Sequence, residues 1–141
     1  MTAALRDEIY RFIKAQRYGV VSSVGADGAP QSALVGIAVT PDLEIYFDTT
    51  GLTRKAPNLR HDPRIAIVTG WDNEQSVQYE GIADEPKGRE LLSLKSVYYA
   101  AWPDGPGRES WEEITWFRVK PRWIRFNDFN RSSDAVREIT F

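Results

Sequence analysis

An α+β domain built on a mostly antiparallel β-barrel, with two to three helices, is the fold this sequence predicts. Three observations carry that expectation. Seven or so short segments are rich in β-branched and aromatic residues, and turn residues separate most of them. Two or three segments instead show helical periodicity, grouped among the strands rather than alternating with each one. The 141 residues contain no linker, repeat or low-complexity stretch, so a single domain spans 1–141.

The elements follow in order. Leu5, Ile9, Phe12 and Ile13 recur at helical spacing among Arg6, Asp7, Glu8, Arg11 and Lys14, which predicts an amphipathic first helix. Tyr18 to Val24 reads as a strand, and Gly25-Ala26-Asp27-Gly28 as a hairpin turn. Gln31 to Thr40 is a second strand, turned by Pro41-Asp42 into a third over Glu44 to Asp48, an antiparallel meander. A polar loop, Thr49 to Thr53, then opens a short helix over Arg54 to Arg60. Pro57 has to lie in its first turn, where amide hydrogens lack helical partners. Arg64 to Thr69 and Ser76 to Ala83 are the next strands, the latter half-exposed. Pro86 to Tyr99 is a further helix, and Ala100 to Glu109 an irregular loop with two Pro and two Gly. Ile114 to Val119 and Arg122 to Phe126 are the last strands, broken at Lys120-Pro121.

Composition narrows the chemistry. Hydrophobic residues make up 42% and charged residues 27%, enough for an ordinary core and too apolar for disorder. The chain has no Cys, which excludes disulfides, thiolate catalysis and Cys-ligated zinc. His61 is the only histidine, so any imidazole chemistry has to use it. The net charge is −2 with both signs interspersed, unlike a nucleic-acid-binding footprint. No apolar run approaches the roughly 20 residues of a membrane-spanning helix. Arg6, Asp7 and Glu8 interrupt the N-terminal region, which lacks a signal-peptide core, so the expected location is the cytoplasm.

The segment from Ile45 to Leu59 carries the most chemical information. A strand runs into a loop of hydroxyl residues, and the loop opens a helix whose first turn holds Arg54 and Lys55. Cations at a helix start oppose the dipole by about 0.3–1 kcal/mol each, a penalty that a bound anion reverses. Two adjacent cations beside unpaired amides suit a phosphate. The same pair equally suits a simply solvated helix start.

Phe47-x-Thr49, followed by Thr53-Arg54-Lys55, Asn58-Leu59 and Asp62-Pro63-Arg64, resembles the central motif of the pyridoxamine 5′-phosphate oxidase-like split barrels. The leading helix, Asp27-Gly28, Pro30, Gly81 and Phe117-Arg118-Val119-Lys120-Pro121 extend that resemblance along nearly the whole chain. It implies an FMN-binding split β-barrel and a homodimer with cofactor sites at the subunit interface. In FMN-binding members the basic pair grips the phosphate, which implies Arg54 and Lys55, entered through Thr53. The strand end, Asp48 and Thr49, would lie against the flavin. Ala33, Leu34 and Val35 on the neighbouring strand would line the ring, in part through backbone groups. Gln75 or Ser76 would supply a polar group from the subunit interface. The oxidase itself carries two further cations on the neighbour strand, where this chain has Ala33 and Ala38. Each charge-assisted bond is worth roughly 1.5–3 kcal/mol, so weaker FMN binding or a related ligand is expected. The C-terminal residues Val136 to Phe141 do not match the motif with which the oxidase binds its vitamin substrate, so a different substrate is expected.

The implied function is an FMN-dependent oxidoreductase acting on a small molecule, with a non-catalytic flavin carrier or sensor, or a relative using deazaflavin or haem, as alternatives. No carboxylate pair stands out as an acid–base dyad, and in flavin chemistry the cofactor carries the redox step. Trp71 reads first as a hairpin residue covering the barrel end, with a place near the flavin or at the dimer interface as the alternative, Trp116 and Trp123 as core or interface residues, and Trp102 with Trp111, which flank the Pro/Gly loop, as candidates for a lid over a ligand. His61 reads as a helix-end residue favoured by the dipole.

Overall fold

A computed structural model describes residues 2–111 and 113–141. Helix α1 (Thr2–Ala15) leads into strand β1 (Tyr18–Val24), followed by β2 (Pro30–Gly36), β3 (Ala38–Val39) and β4 (Ile45–Thr49). Helix α2 (Lys55–His61) separates β4 from β5 (Arg64–Thr69), which is followed by β6 (Gln75–Asp84) and helix α3 (Gly88–Ala101). A 3₁₀ turn at Gly105–Arg108 precedes β7 (Thr115–Asp128) and β8 (Val136–Thr140). Among the described residues, no helix is long and apolar enough to cross a membrane.

The strands form one antiparallel sheet in the order β2-β1-β5-β6-β7-β4-β3, with β8 added to β7. The sheet curls until β2 and β4 approach each other without hydrogen-bonding. That unsealed seam makes the barrel split, and the outer edge of β2 keeps its backbone groups unpaired by any strand.

The curled sheet encloses one core. Phe47 and Phe117 stack with centroids 5.6 Å apart, Ile9 and Ile13 of α1 plug one side, and Val77, Tyr79 and Ile124 fill the middle. Each such side chain contributes about 1.5–3 kcal/mol by leaving water. The Tyr79 hydroxyl lies 2.6 Å from the Leu43 carbonyl and 3.1 Å from that of Val119, so its buried donor is satisfied. A second apolar cluster lies outside the barrel, where α3 lays Leu94, Tyr98 and Trp102 over Tyr46 and Trp116.

Four expectations are corrected. The strand over Gln31 to Thr40 is broken: after Gly36 the chain leaves β1 and, as β3, pairs with β4, so the first strands are two hairpins and not one meander. The cause is remote in sequence. Trp102 packs on Gly36, where a Cβ would come within 2.6 Å of the indole ring, and its Nε1 donates to the Ile37 carbonyl at 3.0 Å. Lys120-Pro121 does not break β7; Glu80 pairs with Trp123 and Gly81 with Pro121, a bulge that accommodates a residue lacking an N–H. The C-terminal residues form β8 on β7, a strand whose one buried residue, Ile139, gives too little alternation to read. Trp71 lies in the β5–β6 hairpin as expected, but at 57% exposure it is too open to seal the barrel end.

Candidate cofactor cleft

The split between β2 and β4 opens into two adjoining clefts. One, of about 460 Å³, is lined by Leu34 and Val35 of β2, Asp48 and Thr49 of β4, Thr53, Lys55, and an aromatic wall including Tyr98 and Trp102. The other, of about 490 Å³, is lined by Ser23, Gln31, Ala33, Thr53, Arg54 and Lys55. Thr53 and Lys55 border both. One side of the combined space is therefore the free edge of β2, and the other is the turn from β4 into α2.

That turn is built by hydroxyls. Thr53 Oγ1 donates to the Thr50 carbonyl at 2.9 Å and lies 2.6 Å from Thr49 Oγ1, so Thr49 is left to donate to Thr53. The loop is thereby closed before α2 begins, with Arg54 as its N-cap and no acidic residue in its first turn. Pro57 occupies the first turn, as its missing N–H requires. Asn58, buried on the inner face of α2, donates to Ser23 Oγ at 3.1 Å and to Gln31 Oε1 at 2.8 Å, and so ties the helix to β1 and β2. These bonds fix the direction in which the two cations leave the backbone.

Lys55 is half-buried, and burial lowers its pKa from the usual lysine value. Among the described residues neither Lys55 nor Arg54 pairs with a carboxylate. A cation held partly out of water without a counter-ion is an electrostatic cost, and an anion entering the cleft would reverse it.

The other pole was not legible in the sequence. Asp48 does not stand alone; Arg108, from the 3₁₀ turn, donates from Nε to Asp48 Oδ2 at 3.3 Å. Its Nη1 lies 3.1 Å from Asp104, and Nη2 donates to the Tyr98 hydroxyl at 3.4 Å. Tyr98 in turn donates to Asp48 Oδ1 at 3.3 Å. Burial first, and the Asp48 carboxylate second, push the Tyr98 phenol well above its ordinary pKa, so it remains a neutral donor. The only signal for Arg108 was its being the single cation in the Pro/Gly loop.

Of the sequence-derived positions, Ala33, Leu34, Val35, Asp48, Thr49, Thr53, Arg54 and Lys55 all border the clefts. Gln75 and Ser76 lie outside both within one chain; Gln75 Nε2 donates to Asp128 at 3.2 Å, and Asn127 Nδ2 to Ser76 at 3.3 Å. Ala38 is buried beneath α3. Trp102 is no lid, being stacked beside Tyr98 in the wall, whereas Trp111 is 53% exposed at the rim. Trp116 is core, Trp123 is half-exposed beneath Arg125, and His61 ends α2 in solvent.

The family model described as pyridoxamine 5′-phosphate oxidase matches residues 5–128. The chain belongs to that family. No curated protein matches it in sequence. Among solved structures, the haem-binding protein of Mycobacterium smegmatis superposes with a TM-score of 0.82 at 16% identity over 96% of this chain and 57% of its own, so this chain spans little more than half of that relative. The haem storage protein HutZ of Vibrio cholerae gives 0.72 at 15% identity over 81% and 87%. A Clostridium acetobutylicum protein of the pyridoxinephosphate oxidase family gives 0.75 at 12% identity over 100% and 97%. At such identities the likeness establishes the split-barrel fold, and members of this oxidase family are similar in fold to proteins that handle haem.

Proposed function

We propose that the chain is a cytoplasmic FMN-binding oxidoreductase that acts as a homodimer on a small molecule other than pyridoxamine phosphate. The carrying observation is Lys55: half-buried, unpaired with carboxylates among the described residues, beside Arg54, at the junction of two clefts bounded by a free strand edge. The donor set fits a phosphorylated planar ring. Lys55 and Arg54 would hold the phosphate and Thr53 its approach. The free edge backbone of Leu34, with Ala33 and Val35 on either side of it and Thr49 and Asp48 opposite, would bracket the ring. Bound there, the flavin would supply the hydride or single-electron chemistry. The protein's own part is to bind, orient and exclude water, with Tyr98 and Arg108 keeping Asp48 neutralised at the cleft wall.

The dimer is proposed because the clefts are open and their rim is apolar. Leu34 is 62% and Trp111 53% exposed, a liability in a monomer and an asset at a C2 interface. Gln75 and Ser76 would then reach the cofactor from the other subunit.

Haem is the second reading, favoured by the two haem-handling proteins of similar fold. The cleft offers haem no imidazole, thioether or thiolate, since His61 lines neither cleft and no Met or Cys does among the described residues, which leaves the phenols of Tyr18 and Tyr98 as the axial ligands it would have to use. The absorption spectrum of the purified chain, with mass spectrometry of any released ligand, tests the proposal. Flavin bands with the FMN mass are expected, and bleaching by a reduced nicotinamide would mark an enzyme rather than a carrier. A Soret band, or the mass of a deazaflavin, would refute the FMN assignment.

A further inference from the structure

Strand β3 ends the sheet, and no strand lies along its outer edge. Folds cover such an edge, and here α1 and α3 both pack against β3. Between them they leave a groove of about 420 Å³. Its floor is Ile37, Ala38 and Val39, with Ile13 of α1 on one side and Val97 and Ala100 of α3 on the other. Val97 and Ala100 are exposed although apolar. A concave, mostly apolar space of this size with a few polar groups is the form of a small-molecule site.

The charged lining is of one sign. Lys14 and Arg17 line the groove, and no carboxylate does. Both are exposed, and neither pairs with a carboxylate among the described residues. Arg17 is held in place: its guanidinium lies 4.0 Å from the centre of the Trp102 ring, and Nη1 donates to the Ala101 carbonyl at 3.5 Å. Trp102 is fixed in turn by its bond to the Ile37 carbonyl. The groove therefore joins an apolar floor to a positively charged rim that a rigid ring supports. An apolar tail would leave water along the floor, and an anionic head would meet the two cations. A peptide strand added to β3 is a poorer occupant, since β3 offers it only two residues.

We infer that the groove between α1 and α3 binds an anionic amphiphile, a medium-chain carboxylate, with its tail along Ile37 to Val39 and its head at Arg17 and Lys14. This goes beyond the cofactor reading and does not depend on it, since none of the groups proposed to hold the flavin lines the groove.

NMR titration of the ligand-free, nitrogen-labelled chain with sodium octanoate, below its micelle concentration, tests this. Saturating shifts are expected at the amides of Ile37 to Val39 and Val97 to Ala101, and at the Trp102 indole N–H. Hexanoate should bind about fourfold more weakly, as expected for two methylenes half-withdrawn from water. Octanol, lacking the carboxylate, should bind about fivefold more weakly, the modest factor reflecting the exposure of both cations. Replacing both cations, Lys14→Gln with Arg17→Gln, should bring octanoate down to the affinity of octanol. Ala100→Phe, an exposed change that fills the groove, should abolish binding of both. No saturating shift, or equal affinity of the native chain for octanoate and octanol, overturns the inference. Shifts confined to Thr53, Arg54 and Lys55 and lost in Lys55→Met overturn it too, by placing the carboxylate in the cofactor cleft. So does sedimentation showing that Ala100→Phe turns a dimer into a monomer, which would make the groove an interface between copies. Octanoate binding at the groove in a chain that takes up no FMN would sustain the inference while refuting the flavin reading.

Discussion

Replacing Lys55 by Met separates a binding role from a stabilising one, because the structure gives the two opposite signs. The thioether side chain keeps the apolar stem that borders both clefts and removes only the ammonium group. A charge-assisted bond to phosphate is worth roughly 1.5–3 kcal/mol. Lys55 is only half-buried, so solvent screening brings the loss toward the lower end, about 1.4 kcal/mol or tenfold in FMN affinity. Stability of the ligand-free protein moves the other way. Burial lowers the folded-state pKa of Lys55 below its unfolded value, so the unfolded chain binds the proton more tightly. The charged lysine therefore costs stability at all pH values below its folded pKa. That cost fades as pH rises from the folded value through the ordinary value of about 10.4. Lys55→Met should leave the melting temperature at pH 7 unchanged or raised. Fluorescence titration with FMN and thermal unfolding of the ligand-free variant are the assays. Undiminished FMN affinity, or a clear fall in melting temperature, would refute the reasoning, the second by showing that Lys55 has an internal partner.

Three further outcomes are expected. FMN affinity of the native chain should decline on the alkaline side at a pH below that of a free lysine, and Lys55→Arg should move that decline to higher pH; a titration series across pH checks both. Asp48→Ala should leave Arg108, with its side chain only 18% exposed, and the Tyr98 hydroxyl without their shared acceptor, costing about 3 kcal/mol in urea unfolding, the low end for breaking a buried pair. Gly36→Ala should cost about 1–3 kcal/mol by the same assay, because its Cβ would meet the Trp102 ring at 2.6 Å and the bond to Ile37 prevents the indole from retreating.

Local signals made part of this molecule legible in the sequence. β1, β4 and α2 are readable because a β-branched run, a turn pair and a proline confined to the first helical turn act within a few residues. The same stretch contains Arg54 and Lys55, whose local charge pattern suits a phosphate and a solvated helix start equally, whereas Asp48 and Thr49 were pointed to only by the resemblance to the oxidase family. Long-range causes were invisible. The break after Gly36 is imposed by Trp102, 65 residues from the carbonyl it bonds, and the bulge that rescues Pro121 depends on Gly81 across the sheet. Arg108 could not be paired with Asp48, 60 residues away, without knowing that α3 returns the chain to the seam. The lid reading of Trp102 failed for a related reason: an aromatic beside a flexible-looking loop was the capstone of α3 packing.

The central claim is that Lys55 and Arg54 hold a phosphate while a flavin ring sits at the split of the barrel. Parallel titrations with FMN and riboflavin, which differ only in that phosphate, test it most directly. FMN should bind at least about tenfold more tightly than riboflavin, a difference of about 1.4 kcal/mol, and Lys55→Met should erase most of the gap. Equal affinity for the two flavins, or a gap that survives in Lys55→Met, would contradict it.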